Sequence, residues 1–220
     1  METAEVARRP ESLIEAVEDI LPLDLITGPS GYGVEVTYLK DIPGDILEDW
    51  YYQYILLTEK REIEEAVKEG VFGALLYYAM TKSALEMKRR GWPICYIPGV
   101  IHLPTVPRYR KVKKLDMGTA DKMAVAVLGV LDQSERYSIP YSEVSFIQVE
   151  MGFGYNAILG VDGGRIVDGI GGTTIGGPGF LTIGAMDAEL VQLVKSWEKA
   201  DVFAGGCISI SNCSSVEELI

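Results

Sequence analysis

Histidine is nearly absent from this chain: 220 residues contain one, His102. A single imidazole excludes a His-rich metal site and any mechanism that needs two. Cysteine is almost as scarce. Cys95, Cys207 and Cys213 are too few and too scattered for a disulfide framework or a zinc site, and they read as small core or near-surface thiols. No apolar run reaches the roughly 18 residues that a spanning helix needs. Met1 to Pro10 has no signal-peptide pattern. Positive charge is in deficit: 20 Lys and Arg face 32 Asp and Glu, a net charge of -12. A surface this acidic repels nucleic acid and anionic membranes, so neither is expected as a partner, and the expectation is a cytoplasmic protein. Two nucleotide signatures are missing as well. No glycine is followed, after four spacer residues, by Gly-Lys-Ser/Thr, and Ala157 occupies the place of the third glycine after Gly152-x-Gly154. P-loop and Rossmann readings both fail on this spacing.

What is present is an ordinary packed composition, 48% hydrophobic and 24% charged, with one feature out of proportion. Of 24 glycines, 12 fall between Gly152 and Gly184, interleaved with apolar residues. That pattern points to a folded site built on backbone, with tight turns that bind nothing as the competing explanation.

Periodicity gives the elements. Ser12 to Ile20 reads as a helix opened by a Ser12/Glu15 capping box, with Leu13, Ile14, Val17 and Ile20 on one face. Leu23 to Thr27 reads as a short buried strand running into the turn-forming loop Gly28-Pro-Ser-Gly-Tyr-Gly33. Helices are expected over Thr58–Lys68 and Ser83–Arg90, closed by Gly70 and Gly91, then a strand at Ile94–Pro98. A loop punctuated by Pro98, Pro104 and Pro107 leads into Arg108, Arg110, Lys111, Lys113 and Lys114. Five positive charges in seven residues form an anion-attracting patch, or else a solvated loop paired with nearby acids. Thr119 caps a helix to about Leu131, with Met123, Val127, Val130 and Leu131 facing a core. Strands follow at Phe146–Val149, Tyr155–Val161 and Arg165–Val167, the last two joined by Asp162-Gly163-Gly164, and a helix closes at Ala188–Lys199. Alternating strands and helices give an α/β class. The run from Glu150 to Asn156 lies between two strands, and exposed N–H groups in such a turn can cradle a phosphate. Gly171, Gly172 and Thr173 add small residues and a hydroxyl.

Several strings in order resemble known families. Gly118-Thr-Ala-Asp-Lys122 resembles the Gly-Thr-Ser-His-Lys segment of acetate and butyrate kinases. Ile147-Gln-Val-Glu-Met-Gly-Phe-Gly154 resembles their strand ending in His-Leu-Gly-Asn-Gly. Ala157 to Asp168 resembles the hairpin that follows, and Gly169 to Asp187 the later glycine-rich stretch. Gly28–Gly33, Pro98–Pro107 with Arg110-Lys111, and Asp116–Lys122 resemble still more closely the DUF1464 family, archaeal proteins described as predicted butyrate kinases. The resemblance implies the superfold shared by acetate and sugar kinases, Hsp70 and actin, with ribonuclease-H-like lobes: a mixed sheet with flanking helices. It implies a partial N-terminal lobe over 1–115 and a partial C-terminal lobe over 116–220. It implies ATP and Mg²⁺, and phosphoryl transfer to a small carboxylic acid. Gly118, Thr119, Gly152, Gly154, Tyr155, Asn156, Gly171, Gly172 and Thr173 would hold the nucleotide, and Glu150 would hold Mg²⁺. Arg108, Arg110, Asp121, Lys122 and Glu150 would carry the catalysis. Asp121 and Glu150 stand where acetate kinases have histidines, which leaves a non-catalytic nucleotide-binding protein or a structural subunit as the alternative. The first phosphate loop and the adenosine segment of such kinases have no counterpart between Met1 and Ile220. The expectation is an incomplete kinase fold that self-associates or takes a partner chain.

Overall fold

A computed structural model of the chain describes residues 2–28, 30–152, 155–202, 205–213 and 216–220. The chain packs as two units, Met1–Pro98 and Gly99–Ile220. The division falls inside the proline-punctuated loop, with Pro98 in the first unit and Pro104 and Pro107 in the second.

The first unit contains α1 (Thr3–Arg8), α2 (Glu11–Glu18), β1 (Ile26–Thr27), β2 (Thr37–Tyr38), α3 (Leu47–Trp50), α4 (Lys60–Lys68), α5 (Phe72–Arg90) and β3 (Ile94–Tyr96). Its sheet has the order β1-β3-β2, with β1 parallel and β2 antiparallel to β3. Leu39, Leu47, Tyr51, Tyr52, Met87 and Tyr96 are fully buried and make its core. Three expectations change here. No capping box opens α2: Pro10 precedes it, the Ser12 hydroxyl donates to the Arg9 carbonyl (2.8 Å), and Glu15 pairs with Arg9 instead. The box forms at α4, where the Glu59 N–H donates to Glu62 Oε2 (3.3 Å). The expected strand from Leu23 shrinks to Ile26–Thr27 and is not buried, because only those two residues pair with β3. Ser83–Arg90 is the end of a 19-residue helix, stopped by Gly91 in the left-handed region (φ +67°).

The second unit contains α6 (Arg108–Lys111), α7 (Ala120–Tyr137), β4 (Phe146–Met151), β5 (Asn156–Asp162), β6 (Arg165–Ile170) and α8 (Ala188–Val194), followed by short helical turns. The three strands form an antiparallel meander, β4-β5-β6. Its β5–β6 turn is the expected Gly163-Gly164, at φ +54° and +71°. α7 covers the sheet face carrying Ala157 and Leu159, and Gly129 leaves a notch for the Phe146 ring: a Cβ there would lie 2.9 Å from Phe146 Cζ. The buried positions of α7 are Ala120, Met123, Ala126 and Val130. Val127 and Leu131, expected in the core, are exposed (56% and 39%), because Ala126 and Gly129 turn the narrow side of the helix to the sheet. The expected closing helix stops at Val194, where Lys195 takes a positive φ. Among the described residues no helix is long and apolar enough to cross a membrane.

Candidate functional site

The end of β4 collects the chemistry. Strand alternation sends Glu150 to the α7 side of the sheet, opposite Ala157, while Met151 points the other way. The first turn of α7 brings Lys122 to the same place. Its ammonium lies 2.5 Å from Glu150 Oε1 and 2.9 Å from Asp121 Oδ2, and the Lys122 side chain is 14% exposed. The Thr119 hydroxyl does not cap the helix and donates instead to Asp121 Oδ1. Gln148, two residues back on the same face, donates to the Lys122 carbonyl (3.5 Å). Burial draws the Lys122 ammonium down, but hydrogen bonds from it to Glu150 and Asp121 outweigh that, and its pKa rises above the ordinary 10.5. Burial pushes the Asp121 carboxyl up. The Thr119 hydroxyl and Lys122 outweigh this and leave it below the ordinary 3.8.

Directly after this cluster the chain turns at Gly152. A Cβ there would lie 2.6 Å from the Tyr155 carbonyl oxygen, so only glycine closes this turn, and Asn156 re-enters the sheet opposite Met151. Gly154, expected beside Gly152 in this turn, lies outside the described residues. Glu150 Oε2 is buried and has no hydrogen-bond partner. Such an oxygen suits Mg²⁺ held by one carboxylate, waters and phosphate oxygens. A cage of protein ligands is not on offer, because the described residues contain no group of three or more metal-binding side chains.

The structure does not bring the basic run to this cluster. Arg110 lies 3.2 Å from Asp168 and Lys114 lies 3.7 Å from it. The register places Asp168 beside Gly160 and Ile147, on the opposite face of the sheet from Glu150. Arg108 is exposed on α6. Gly118, Gly171 and Thr173 sit together, and their N–H groups are engaged by one residue that the sequence did not single out, Asp116. Its carboxylate accepts from Gly118 N (3.1 Å), Thr173 N (3.3 Å) and Thr173 Oγ1 (3.3 Å), and its carbonyl accepts from Gly171 N (3.2 Å). Asp-x-Gly before a helix is the sequence form of such a side-chain turn, a signal that Asp116-Met117-Gly118 carries.

A mixed α/β chain with this meander and covering helix has the fold of acetate kinases. It superposes on the crystal structure of acetate kinase from Entamoeba histolytica with a TM-score of 0.50 at 12% identity. The match covers 98% of this chain and 55% of that one, so the chain spans about half the length of the kinase. Residues 1–220 match the family described as "Protein of unknown function (DUF1464)", and the chain belongs to that family. No curated protein sequence matches it.

Proposed function

We propose that this chain serves Mg²⁺-ATP-dependent phosphoryl transfer to a small, butyrate-like carboxylic acid, giving an acyl phosphate. The observation that carries the reading is the Lys122 ammonium, fixed between Asp121 and Glu150, two residues before the turn at Gly152. Phosphoryl transfer asks a protein for positioning and charge neutralisation rather than covalent chemistry. The N–H groups of Gly152, Tyr155 and Asn156 would hold a phosphate, and Lys122 would balance its charge. Glu150 would hold Mg²⁺, which when bound neutralises charge developing on the phosphoryl oxygens. The acetate-kinase fold supports this reading.

Calorimetry with Mg²⁺-ATP and Mg²⁺-ADP tests the binding half, and hydroxylamine trapping of acyl phosphate across short-chain acids tests turnover. Gly152→Val should abolish nucleotide binding, since its side chain would collide with the Tyr155 carbonyl; unchanged affinity would place the phosphate elsewhere. A second reading, nucleotide binding without turnover, is favoured by one observation: Arg110, the expected clamp, is held by Asp168 on the opposite face of the sheet. Binding with no trapped product for any acid would select it.

A further inference from the structure

Resting on the phosphate-turn reading above, we propose that Asp116 is the positioning residue of the two described ends of that turn, Glu150–Gly152 and Tyr155–Asn156, a buried carboxylate that locks both flanks. Asp116 is 8% exposed. An ionised carboxylate only accepts hydrogen bonds, and each of the side-chain partners described above is a donor: two backbone N–H groups and a hydroxyl. The Asp116 carbonyl adds the Thr174 hydroxyl (3.1 Å). The fit leaves no spare room. A Cβ on Gly171 would lie 1.7 Å from Asp116 Oδ1, so this glycine exists to admit the carboxylate.

Two routes lead from Asp116 to the turn. On one side it fixes the Gly171–Thr174 loop, and Gly172 in that loop packs behind the turn: a Cβ there would meet Tyr155 Cδ1 at 3.1 Å and the Asn156 carbonyl oxygen at 3.4 Å. On the other side it fixes Gly118, which takes φ +113° at the entrance to α7. Four residues on, Lys122 reaches Glu150 at the other end of the same turn. Asp116 touches neither the turn nor Lys122; it acts through the two segments that do.

The test uses the full chain, with Asp116→Asn, Gly171→Ala and Thr173→Val, reading hydrogen exchange by peptide and Mg²⁺-ATP affinity by calorimetry. An amide of the same shape must turn its NH₂ toward a donor, so Asp116→Asn breaks the lock without emptying the space. The expected result is faster exchange in 155–160 and in 171–176, with the first unit unchanged. Affinity is expected to fall at least tenfold, and Gly171→Ala should reproduce both effects from the other side of the contact. Unchanged exchange in 155–160 overturns the proposal, whatever happens at 171–176. Unchanged affinity beside faster exchange overturns it also, since the lock would then serve stability alone. If the wild-type chain does not bind Mg²⁺-ATP, the phosphate-turn reading fails by itself, and exchange in 155–160 still decides the lock. If Asp116→Asn does not fold, Thr173→Val loses one donor and should show the same exchange pattern at smaller amplitude; an unchanged pattern overturns the proposal.

Discussion

At the scale of single residues, the site is a problem in charge balance. Lys122 is the cation that makes two neighbouring carboxylates tolerable at the end of β4. Removing it strands Glu150, one of whose oxygens already lacks a partner. Lys122→Met is therefore expected to lower stability by about 1.5–3 kcal/mol in urea unfolding, and the double variant with Glu150→Gln should recover part of that loss. The pH dependence follows from the two shifts. Asp121 is lowered in the folded chain, so its contribution is present above 3.8 and is lost as pH falls through the folded value. Lys122 is raised, so its contribution is present below 10.5 and is lost as pH rises through the folded value. The expected profile from this cluster is flat between about pH 5 and 10 and falls on both sides. Asp121→Asn should flatten the acid limb, and an acid limb identical to wild type would contradict the pairing. Lys122 and Glu150 were both legible as candidates from their place in the motif strings. Asp116 was not, because a carboxylate that meets its donors 57 residues away leaves only the Asp-x-Gly half of its environment in the local sequence.

At the scale of elements, turns and caps were read best where one residue type has one physical use. Gly163-Gly164 makes the β5–β6 turn because both positions need positive φ. Gly91 ends α5 for the same reason. Gly91 and Gly164 differ in their surroundings, which gives a contrast to measure. Gly91→Ala meets open space and should cost about 1 kcal/mol, from backbone strain alone. Gly164→Ala adds a Cβ 2.3 Å from the Tyr141 carbonyl oxygen and should cost at least about 2 kcal/mol in the same thermal or urea unfolding. Equal costs would mean that the Tyr141 segment gives way. Helix faces were read less well. Val127 and Leu131 fit the apolar period, but the sheet selects the small residues Ala126 and Gly129 so that α7 can approach Phe146 closely.

At the scale of the whole molecule, the outer face of the meander carries Ile147, Val149 and Met151, exposed by 74%, 59% and 85%. The register aligns Val149 with Ile158 and Ile170 into an apolar stripe across all three strands, and among the described residues β4 is an edge strand. Such an edge beside an apolar stripe offers pairing to a second copy of the chain, against a net charge of -12 that opposes close approach. The expected outcome in light scattering is an assembly larger than one chain at moderate salt, reduced to a single chain by Val149→Glu with Met151→Glu. These exposed substitutions should leave unfolding within about 0.5 kcal/mol of wild type. A monomeric wild-type chain would refute self-association.

The sequence by itself determined what depends on local chemistry. Apolar periodicity set the helices and the strands of the meander, and the Gly163-Gly164 pair set the turn between its last two strands. The ordered motif strings pointed to the acetate-kinase fold that the structure displays. Only the tertiary structure decided which charges meet. Strand alternation placed Glu150 under α7 and Asp168 on the opposite face, and so sent Lys122 to one and Arg110 to the other. Pairing depends on which face of a sheet each side chain leaves and on what packs above it. That information resides in contacts between segments far apart in the chain, where local pattern carries none.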